Sequence, residues 1–407
     1  MMHRPLRIAD ILTFGEETHG DAEIVSVTVE GGIHRTTYGE TAPRVRKLAN
    51  GLLSLGVKVG DRVATLAWNG YRHFELYYAI SGIGAVCHTI NPRLSAEQMI
   101  YIINHAGDSI ICVDLTFIPI LEAIKDKVPS NMKYIIMTDR DHMPDTVLEN
   151  VLCYEEVLET GDSNIEWPEF SEETASSLCY TSGTTGNPKG SLYTHRSTVL
   201  HSLTAGISFP ETMRAGVRIL PVVPLFHVNA WGLAYAAPLV GASIIFPGPN
   251  LDGKSIFDLM DSENVFSAWG VPTVWLGLLS EIENRGRIPN GFGEAIIGGS
   301  AVPRYMVESF EKLSVSVCHA WGMTEMSPIG TNGRLSPAHS KLPMNEKIDL
   351  KVKQGRRVYG VELKIVDESG NKVLHDGISN GELLSRIPIL CFRRLQLSTP
   401  MALPNLH

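Results

Sequence analysis

Between residues 41 and 139 the sequence alternates helical and strand-like hydrophobic patterns. The segment TAPRVRKLANGLLSLGV places Val45, Leu48 and Leu52 on one stripe, which predicts an amphipathic helix. The apolar run DRVATLAW follows, and helix-like and strand-like segments then alternate as far as KYIIMTD. Regular alternation of this kind predicts parallel strands covered by helices, and therefore an α/β fold.

The same alternation continues in the second half of the chain, after an acidic segment at 141–172 that we expect to be a surface connection. Five further runs are strand-like: ASSLCYTS, RILPVVPLF, ASIIFPG, VFSAWGVP and GEAIIGGSA. Beyond residue 355, alternation around DESGN predicts an antiparallel hairpin. We therefore expect one large α/β domain over 1–384, with two helix-covered sheets and a distorted, partly barrel-like antiparallel lobe near 210–250 and 350–384.

Composition narrows the class of protein further. Of the 407 residues, 44% are hydrophobic and 19% are charged, which is typical of a globular chain. The net charge of −9 gives no basic excess for nucleic acid, so a polyanionic ligand must be held by local donors. We find no run near the roughly 18 apolar residues that a membrane span needs, and no signal peptide at the start. These features predict a soluble, cytoplasmic protein.

The cysteines are scattered along the chain without CxxC spacing. They are Cys87, Cys112, Cys153, Cys179, Cys318 and Cys391. Most lie in apolar runs, which favours buried free thiols in a reducing compartment over a disulfide or metal role.

The segment YTSGTTGNPKG (180–190) combines glycines and hydroxyls around one lysine. Gly183 and Gly186 can adopt positive φ and expose backbone N–H groups to an anion. Neutral donors come from Thr181, Ser182, Thr184 and Thr185, and Lys189 adds a cation. Such donors suit a triphosphate, although a solvated surface loop has the same composition. A Walker motif is excluded because GKS or GKT is absent.

Three other segments also carry groups suited to nucleotide chemistry. HAWGMTEMSP (319–328) offers Trp321 for stacking, the Thr324 hydroxyl, and the Glu325 carboxylate for Mg²⁺. GGSAVP (298–303) gives glycine backbone that a planar ring could approach. PLFHVNAWG (224–232) sets His227 and Trp231 among apolar residues. Each segment taken alone also has a purely structural interpretation. HAWGMTEMSP could be a buried Trp followed by a solvated Glu, GGSAVP a turn at the end of a strand, and the histidine of PLFHVNAWG a core residue.

In this order, the four segments resemble the adenylate-forming superfamily of acyl-CoA synthetases, luciferases and peptide-synthetase adenylation domains, over residues 10–384. They are most similar to medium- and long-chain fatty-acid–CoA ligases, including 3-(methylthio)propionate–CoA ligases. The resemblance implies the large N-terminal domain of these enzymes. It also implies ATP, Mg²⁺ and CoA as ligands, a small carboxylic acid as substrate, and a homodimer. The implied reaction is attack of the carboxylate on ATP, giving acyl-adenylate and pyrophosphate, followed by displacement of AMP by the CoA thiol.

The resemblance also implies roles for individual residues. Thr181 to Lys189 would grip the β- and γ-phosphates, with Thr181 near the metal. His227 would lie near the attacking carboxylate, Val228 beside the nucleotide, and Trp231 at the gate of the acyl tunnel. The adenine and acyl pocket would be bordered by Gly298, Gly299, Ser300, His319, Ala320 and Trp321. Thr324 would bond the α-phosphate and Glu325 would hold Mg²⁺, so His227, Thr324, Glu325 and Lys189 are the candidate catalytic residues.

The resemblance stops at GELL (381–384), after which the sequence is SRIPILCFRRLQLSTPMALPNLH. Members of the superfamily continue with a ribose-binding Asp, a hinge and a lid domain carrying a Lys, which these residues do not supply. We expect 385–407 to be a divergent, disordered tail from out-of-frame or alternatively spliced coding; the alternative is a genuine short C-terminus. Two functions stay open: an acyl-CoA ligase impaired by loss of the lid, or a lid-less nucleotide- or acyl-binding protein. Luciferase-like or aminoacyl-adenylating chemistry is less favoured because FHVNAW resembles the fatty-acyl branch.

Overall fold

The computed structural model describes residues 4–181, 186–339, 341–376, 378–387 and, for the backbone alone, 392–394. In this part of the chain the helices span Ile8–His19, Tyr38–Ser54, Tyr71–Gly82, Ala96–Ala106, Ile118–Ile124, Tyr154–Glu159, His195–Ser208, Leu233–Val240, Gly253–Ser262, Pro272–Arg285, Arg304–Lys312 and Met344–Lys351. The strands are β1 Glu23–Val27, β2 Ile33–Thr37, β3 Arg62–Leu66, β4 Val86–Thr89, β5 Ile110–Val113, β6 Lys133–Ile136, β7 Val151–Cys153, β8 Ala175–Thr181, β9 Lys189–Thr194, β10 Arg218–Pro221, β11 Ser243–Phe246, β12 Ser267–Gly270, β13 Glu294–Ile297, β14 Ser316–Gly322, β15 Ile329–Asn332, β16 Arg356–Arg357, β17 Glu362–Val366, β18 Glu382–Arg386 and β19 Phe392–Arg394.

The described strands form two large sheets and one hairpin. One sheet has the order β19-β9-β8-β4-β3-β5-β6-β7, parallel from β8 to β7 and antiparallel at β9 and β19. The other has the order β16-β15-β14-β13-β12-β10-β11-β1-β2, parallel from β14 to β1 and antiparallel at its edges. The hydrophobic cores contain buried side chains from these strands and from the helices that pack on them. The predicted α/β fold with two helix-covered sheets is confirmed.

The helix Tyr38–Ser54 shows how local sequence and packing agree. Thr37 and Glu40 form a reciprocal capping box at its start, which satisfies backbone N–H groups that lack a helical partner. Val45, Leu48 and Leu52, the predicted apolar stripe, are all fully buried. The next helix, Tyr71–Gly82, is buried on every side, and it brings Tyr77 close to the candidate site.

The prediction of an antiparallel lobe near 210–250 is wrong. β10 and β11 pair in parallel, and β10 also pairs in parallel with β12. The chain between β10 and β11 includes the helix Leu233–Val240, and a crossover of this kind returns the next strand in the parallel direction.

The expected antiparallel pairing near 350–384 is present, although its second strand is not the predicted one. β17 pairs over five residues with β18, whereas NKVL after the DESGN turn contributes one isolated bridge, Val366 with Lys372. β18 supplies five residues that pair with β17, so the hairpin closes over a larger loop. Segment 141–172 also contains more structure than expected, because β7 extends the eight-stranded sheet and the helix Tyr154–Glu159 follows it.

Two other expectations concern thiols and membranes. The cysteines of the described residues, Cys87, Cys112, Cys153, Cys179 and Cys318, are buried free thiols, and Cys391 lies outside this part of the chain. Among the described helices we find none that combines the length and apolar character needed to cross a membrane. The predicted tail 385–407 lies mostly outside the described residues, apart from the end of β18 and the three-residue β19 beside β9.

Candidate active site

Three of the four motif segments converge on one cavity of about 160 Å³. The predicted site residues that line it are His227, Val228, Trp231, Gly298, Gly299, Ala320, Trp321 and Thr324. Gly298 follows β13 directly, and Ala320 and Trp321 lie at the carboxyl end of β14. Open α/β sheets bind ligands outside the carboxyl ends of their strands. The cavity therefore lies where this fold places ligand sites.

The indole of Trp231 packs against the glycine pair. A Cβ atom at position 298 would lie 3.0 Å from Cη2 of Trp231 and 2.9 Å from the carbonyl oxygen of Ala320. Gly299 has a φ of +80°, which side chains rarely adopt. Trp231 also meets Trp269 edge to face, with ring centroids 6.4 Å apart. Glycine is thus required for the tryptophan to reach this wall of the cavity.

Residues 228–231 form a left-handed turn, with φ values between 48° and 57° at four successive non-glycine residues. Left-handed helical geometry costs roughly 1–2 kcal/mol per residue, so the surrounding structure must compensate. The buried Asn229 does so from within the turn. Its Nδ2 donates to the hydroxyl of Ser177 at 3.1 Å, and its Oδ1 accepts from the phenol of Tyr77 at 3.2 Å. Asn229 therefore anchors the turn to β8 and to the helix Tyr71–Gly82.

His227 immediately precedes this turn and lines the cavity. Its side chain is exposed, although the neighbouring protein atoms remove part of its hydration. Loss of hydration lowers the pKa of His227 below its usual value. The imidazole is therefore neutral at pH 7 and can accept a hydrogen bond.

Thr324 and Glu325 lie in a short 3₁₀ turn after β14. The phenol of Tyr193 donates to the carbonyl oxygen of Thr324 at 2.5 Å. Burial, and to a smaller extent the nearby Cys179 and Glu325, raises the pKa of Tyr193. Glu325 is half-buried and forms no ion pair within the described residues. A carboxylate in this situation fits a hard cation, which prefers oxygen ligands.

The phosphate-loop segment lies between β8 and β9. Thr181 ends β8 and Lys189 begins β9, opposite each other in the ladder, and the Thr181 hydroxyl donates to the Lys189 carbonyl at 3.4 Å. Gly186 has a positive φ, as expected, and the Lys189 side chain is exposed. Ser182, Gly183, Thr184 and Thr185 lie outside the described residues. No contact between Lys189 and Glu325 is seen in the part of the chain that the structure describes.

The hairpin that carries this loop nevertheless packs against the cavity. Cys179 on β8 and Tyr193 on β9 form a small apolar cluster with Val228, and Trp231 packs on that cluster. The β8–β9 hairpin is therefore connected to the 224–232 segment through buried side chains.

Two of the expected site residues are placed differently. The ring of His319 is buried, with Nδ1 3.0 Å from the carbonyl oxygen of Val352, and it does not line the cavity. The reason is that the end of the helix Met344–Lys351 presents an acceptor to this ring. Ser300 is exposed beyond the glycine pair. Sequence analysis missed six cavity residues: Phe209, Trp269, Gly322, Met323, Pro328 and Ile329.

Of these six, Gly322, Met323 and Pro328 fall within the HAWGMTEMSP segment already singled out, and Trp269 falls within the strand-like run VFSAWGVP. Ile329 had no such signal, and neither did Phe209. It follows the helix His195–Ser208 and reaches the site by packing edge to face on Trp269, with centroids 4.7 Å apart. Asn229 and Tyr193 were also not assigned a role, although both fix cavity-lining segments.

Comparison with known proteins identifies the family of the chain. The AMP-binding enzyme family model matches residues 15–391. The chain is 47% identical to a 3-methylmercaptopropionyl-CoA ligase of Ruegeria lacuscaerulensis, over 95% of this chain and 72% of that protein. It is 46% identical to a medium-chain-fatty-acid–CoA ligase of Ectopseudomonas oleovorans, over 95% and 71%. The crystal structure of a long-chain-fatty-acid-CoA ligase from Archaeoglobus fulgidus superposes with a TM-score of 0.82 at 21% identity, covering 97% of this chain and 77% of that one.

The fold is that of the large N-terminal domain of adenylate-forming enzymes. The chain belongs to the AMP-binding enzyme family, and its relatives at 41–47% identity are acyl-CoA ligases.

Proposed function

We propose that this chain binds MgATP and a fatty acid or 3-methylthiopropionate and catalyses formation of the acyl-adenylate within an acyl-CoA ligase reaction. The observation that carries the proposal is the convergence of the 224–232, 298–303 and 319–328 segments on one cavity. Residues as far apart in sequence as His227 and Thr324 meet there, and each segment supplies a group suited to one part of an acyl-adenylate. The similarity to acyl-CoA ligases supports the same reaction class.

In the proposed site, Trp321 and the glycine pair hold the adenine, and Trp231 borders the acyl chain. The neutral imidazole of His227 accepts a hydrogen bond near the attacking carboxylate without adding positive charge. The Thr324 hydroxyl donates to the α-phosphate. Fixed donors of this kind stabilise charge that develops during reaction, because they need no reorganisation.

Glu325 and the hydroxyl of Thr181 would hold Mg²⁺, and Lys189 would bind the outer phosphates. Glu325 fits this role because no cation of the described residues neutralises it. The metal, when bound, would neutralise negative charge on the phosphates. The protein's own contribution is to orient the nucleotide against the 298–299 backbone and to exclude water with Trp231 and Trp269.

A second candidate is binding of nucleotide or acyl-adenylate without transfer to CoA. The cavity unites the groups assigned to the nucleotide and the acyl chain, which is sufficient for this first step. The chain spans 72% of the length of the 3-methylmercaptopropionyl-CoA ligase it matches. The two candidates share the first binding step and differ in the products that are released.

The decisive experiment is calorimetric titration of the 407-residue chain with MgATP, paired with assays for pyrophosphate and acyl-CoA. We expect binding that Lys189→Ala combined with Glu325→Ala abolishes. The control, Lys58→Ala with Glu97→Ala, removes the same charges at exposed positions far from the motifs in sequence. Pyrophosphate release with a fatty acid supports adenylation, and acyl-CoA formation supports the full ligase. Absence of MgATP binding would contradict both candidates.

For the cellular setting we propose the cytoplasm, because buried free thiols fit a reducing compartment. We also propose that the protein works as a homodimer. Fluorescence microscopy of the tagged chain and its mass in solution test these two points.

A further inference from the structure

The cavity of the candidate active site has an aromatic wall that becomes more buried toward one end. The wall is a row of three rings, Trp231, Trp269 and Phe209. Trp269 meets Trp231 edge to face with centroids 6.4 Å apart, and it meets Phe209 in the same way at 4.7 Å. Trp231 is half-buried, whereas Trp269 and Phe209 are fully buried. Phe209 therefore lies at the deep end of this wall.

Backbone hydrogen bonds hold Phe209 in place. Its N–H donates to the carbonyl of Ala205 at 3.0 Å, and its carbonyl accepts from the N–H groups of Thr212 and Met213 at 3.0 and 2.7 Å. The residue is thus fixed between the helix His195–Ser208 and the turn that follows it. Because protein interiors are close-packed, a ring fixed in this way cannot swing aside to lengthen the cavity without displacing its neighbours.

A largely buried ion pair packs against the ring of Phe209. The guanidinium carbon of Arg334 lies 6.0 Å from the centre of the ring, and Nη2 of Arg334 donates to both carboxylate oxygens of Glu294 at 2.5 and 2.6 Å. The Glu294 carboxylate also accepts from the buried Thr212 hydroxyl. Neither Arg334 nor Glu294 lines the cavity. Because separating a buried ion pair is strongly unfavourable, an apolar acyl chain cannot continue past Phe209 in this direction.

The size of the cavity bears on the length of the acyl group. At about 160 Å³, the cavity holds on the order of a dozen water molecules. In the proposed function an adenine ring against Trp321 and the glycine pair takes up much of this space. The remainder, closed by Phe209, suits an acyl group of only a few non-hydrogen atoms. In a closed apolar pocket a single methylene group too many changes binding by about tenfold or more.

We propose that Phe209 is the end wall of the acyl pocket and sets the length of the acyl group. The chain therefore takes short acids, of the size of 3-methylthiopropionate, in preference to medium- and long-chain fatty acids. The inference rests on the proposed function and narrows its acyl substrate. Phe209 determines specificity and takes no part in the reaction itself, because its ring has no group that can exchange a proton or bind a phosphate.

Acylsulfamoyl-adenosines test the proposal by binding alone, since these analogues of an acyl-adenylate are not turned over. The 407-residue chain is titrated in a calorimeter with the propanoyl, 3-methylthiopropanoyl, octanoyl and dodecanoyl forms and with AMP. We expect the two short forms to bind at least about tenfold more tightly than the two long forms. In Phe209→Ala the octanoyl form should gain about tenfold or more relative to the propanoyl form, with the affinity for AMP unchanged.

Two further variants separate an end wall from a merely structural ring. Phe209→Leu removes less volume, so it should fold even where alanine does not, and it should shift the length preference in the same direction by a smaller factor. Phe310→Ala removes an equally buried ring from a different hydrophobic core. It should lower the free energy of unfolding and leave the length preference at the wild-type value.

The outcomes distinguish this inference from the proposed function. Wild-type affinities that are equal for all acyl lengths or higher for the long forms, an unchanged preference in both Phe209 variants, or the same shift in Phe310→Ala would overturn this inference alone. A loss of AMP affinity in Phe209→Ala, matched by every acyl form, would place the ring at the adenine and overturn it as well. If AMP, MgATP and every analogue fail to bind the wild type, the proposed function fails and this inference fails with it.

Discussion

The phenol of Tyr193 donates a hydrogen bond of 2.5 Å to the carbonyl oxygen of Thr324. Tyr193 is on β9, the strand that Lys189 begins, and Thr324 precedes the candidate metal ligand Glu325. The bond therefore joins the phosphate-loop hairpin of one sheet to the end of β14 in the other. Both residues are buried, so the pairing is shielded from water.

Replacing Tyr193 with phenylalanine should separate these two parts of the site. Tyr193→Phe leaves the Thr324 carbonyl without its buried partner, which costs about 1–3 kcal/mol. We expect a lower free energy of unfolding in urea and weaker MgATP binding by calorimetry. Tyr305→Phe, at a residue that is 52% exposed, is the control and should change neither. Unaltered stability of Tyr193→Phe would show that the bond contributes nothing.

Gly298→Ala should close part of the cavity. The new methyl group would lie 3.0 Å from the Trp231 indole and 2.9 Å from a backbone oxygen, and only the indole can move. We expect a stability loss of about 1–3 kcal/mol, as for other overpacked sites, and at least about tenfold weaker MgATP binding. Gly277→Ala is the matched control, since its methyl group meets neighbouring atoms at 3.4 Å or more. Full nucleotide affinity in Gly298→Ala would remove the glycine pair from the proposed site.

Asn229→Ala should release the left-handed turn that carries Trp231. The variant loses buried hydrogen bonds to Ser177 and Tyr77 and places alanine where asparagine is better tolerated. We expect destabilisation of roughly 2–4 kcal/mol and a changed tryptophan fluorescence spectrum. Asn290→Ala, at an exposed position, should leave both unchanged. A native spectrum and stability in Asn229→Ala would mean that the turn is held by its backbone alone.

Asp114 should give stability a distinct dependence on pH. Burial raises the pKa of Asp114 to about 7, and the nearby Glu30 adds to the increase, while the Trp68 N–H and Arg72 oppose it. An unfolded Asp titrates near about 4. The folded state therefore holds the proton more tightly, so this contribution is complete below pH 4 and is lost as pH rises through 7.

The test is Asp114→Asn, which stays neutral at every pH. Compared with the wild type, we expect it to gain roughly 2–4 kcal/mol in unfolding free energy between pH 4 and pH 8, measured by urea denaturation. Asp258→Asn should behave in the opposite way, because Arg285 and Lys254 lower the pKa of Asp258. Parallel stability profiles for Asp114→Asn and the wild type would contradict the assignment.

The sequence by itself determined the elements and the chemical groups. A helical period marked the helix Tyr38–Ser54, because burial on one face of a helix repeats about every 3.6 residues. Short, nearly continuous apolar runs marked the parallel strands, because helices bury both faces of such a sheet. The motifs marked His227, Trp321 and Thr324 because few folds need those groups in that order. All three line the cavity that the structure shows.

Only the tertiary structure decided how these groups face one another. The left-handed turn at 228–231 depends on Asn229 reaching Ser177, 52 residues away. The ring of His319 turns to the Val352 carbonyl, and β17 pairs with β18 instead of the nearer NKVL. In each case several partners are locally compatible, and contacts between residues that are distant in the chain select one. Periodicity carries no information about such contacts, so packing alone settled them.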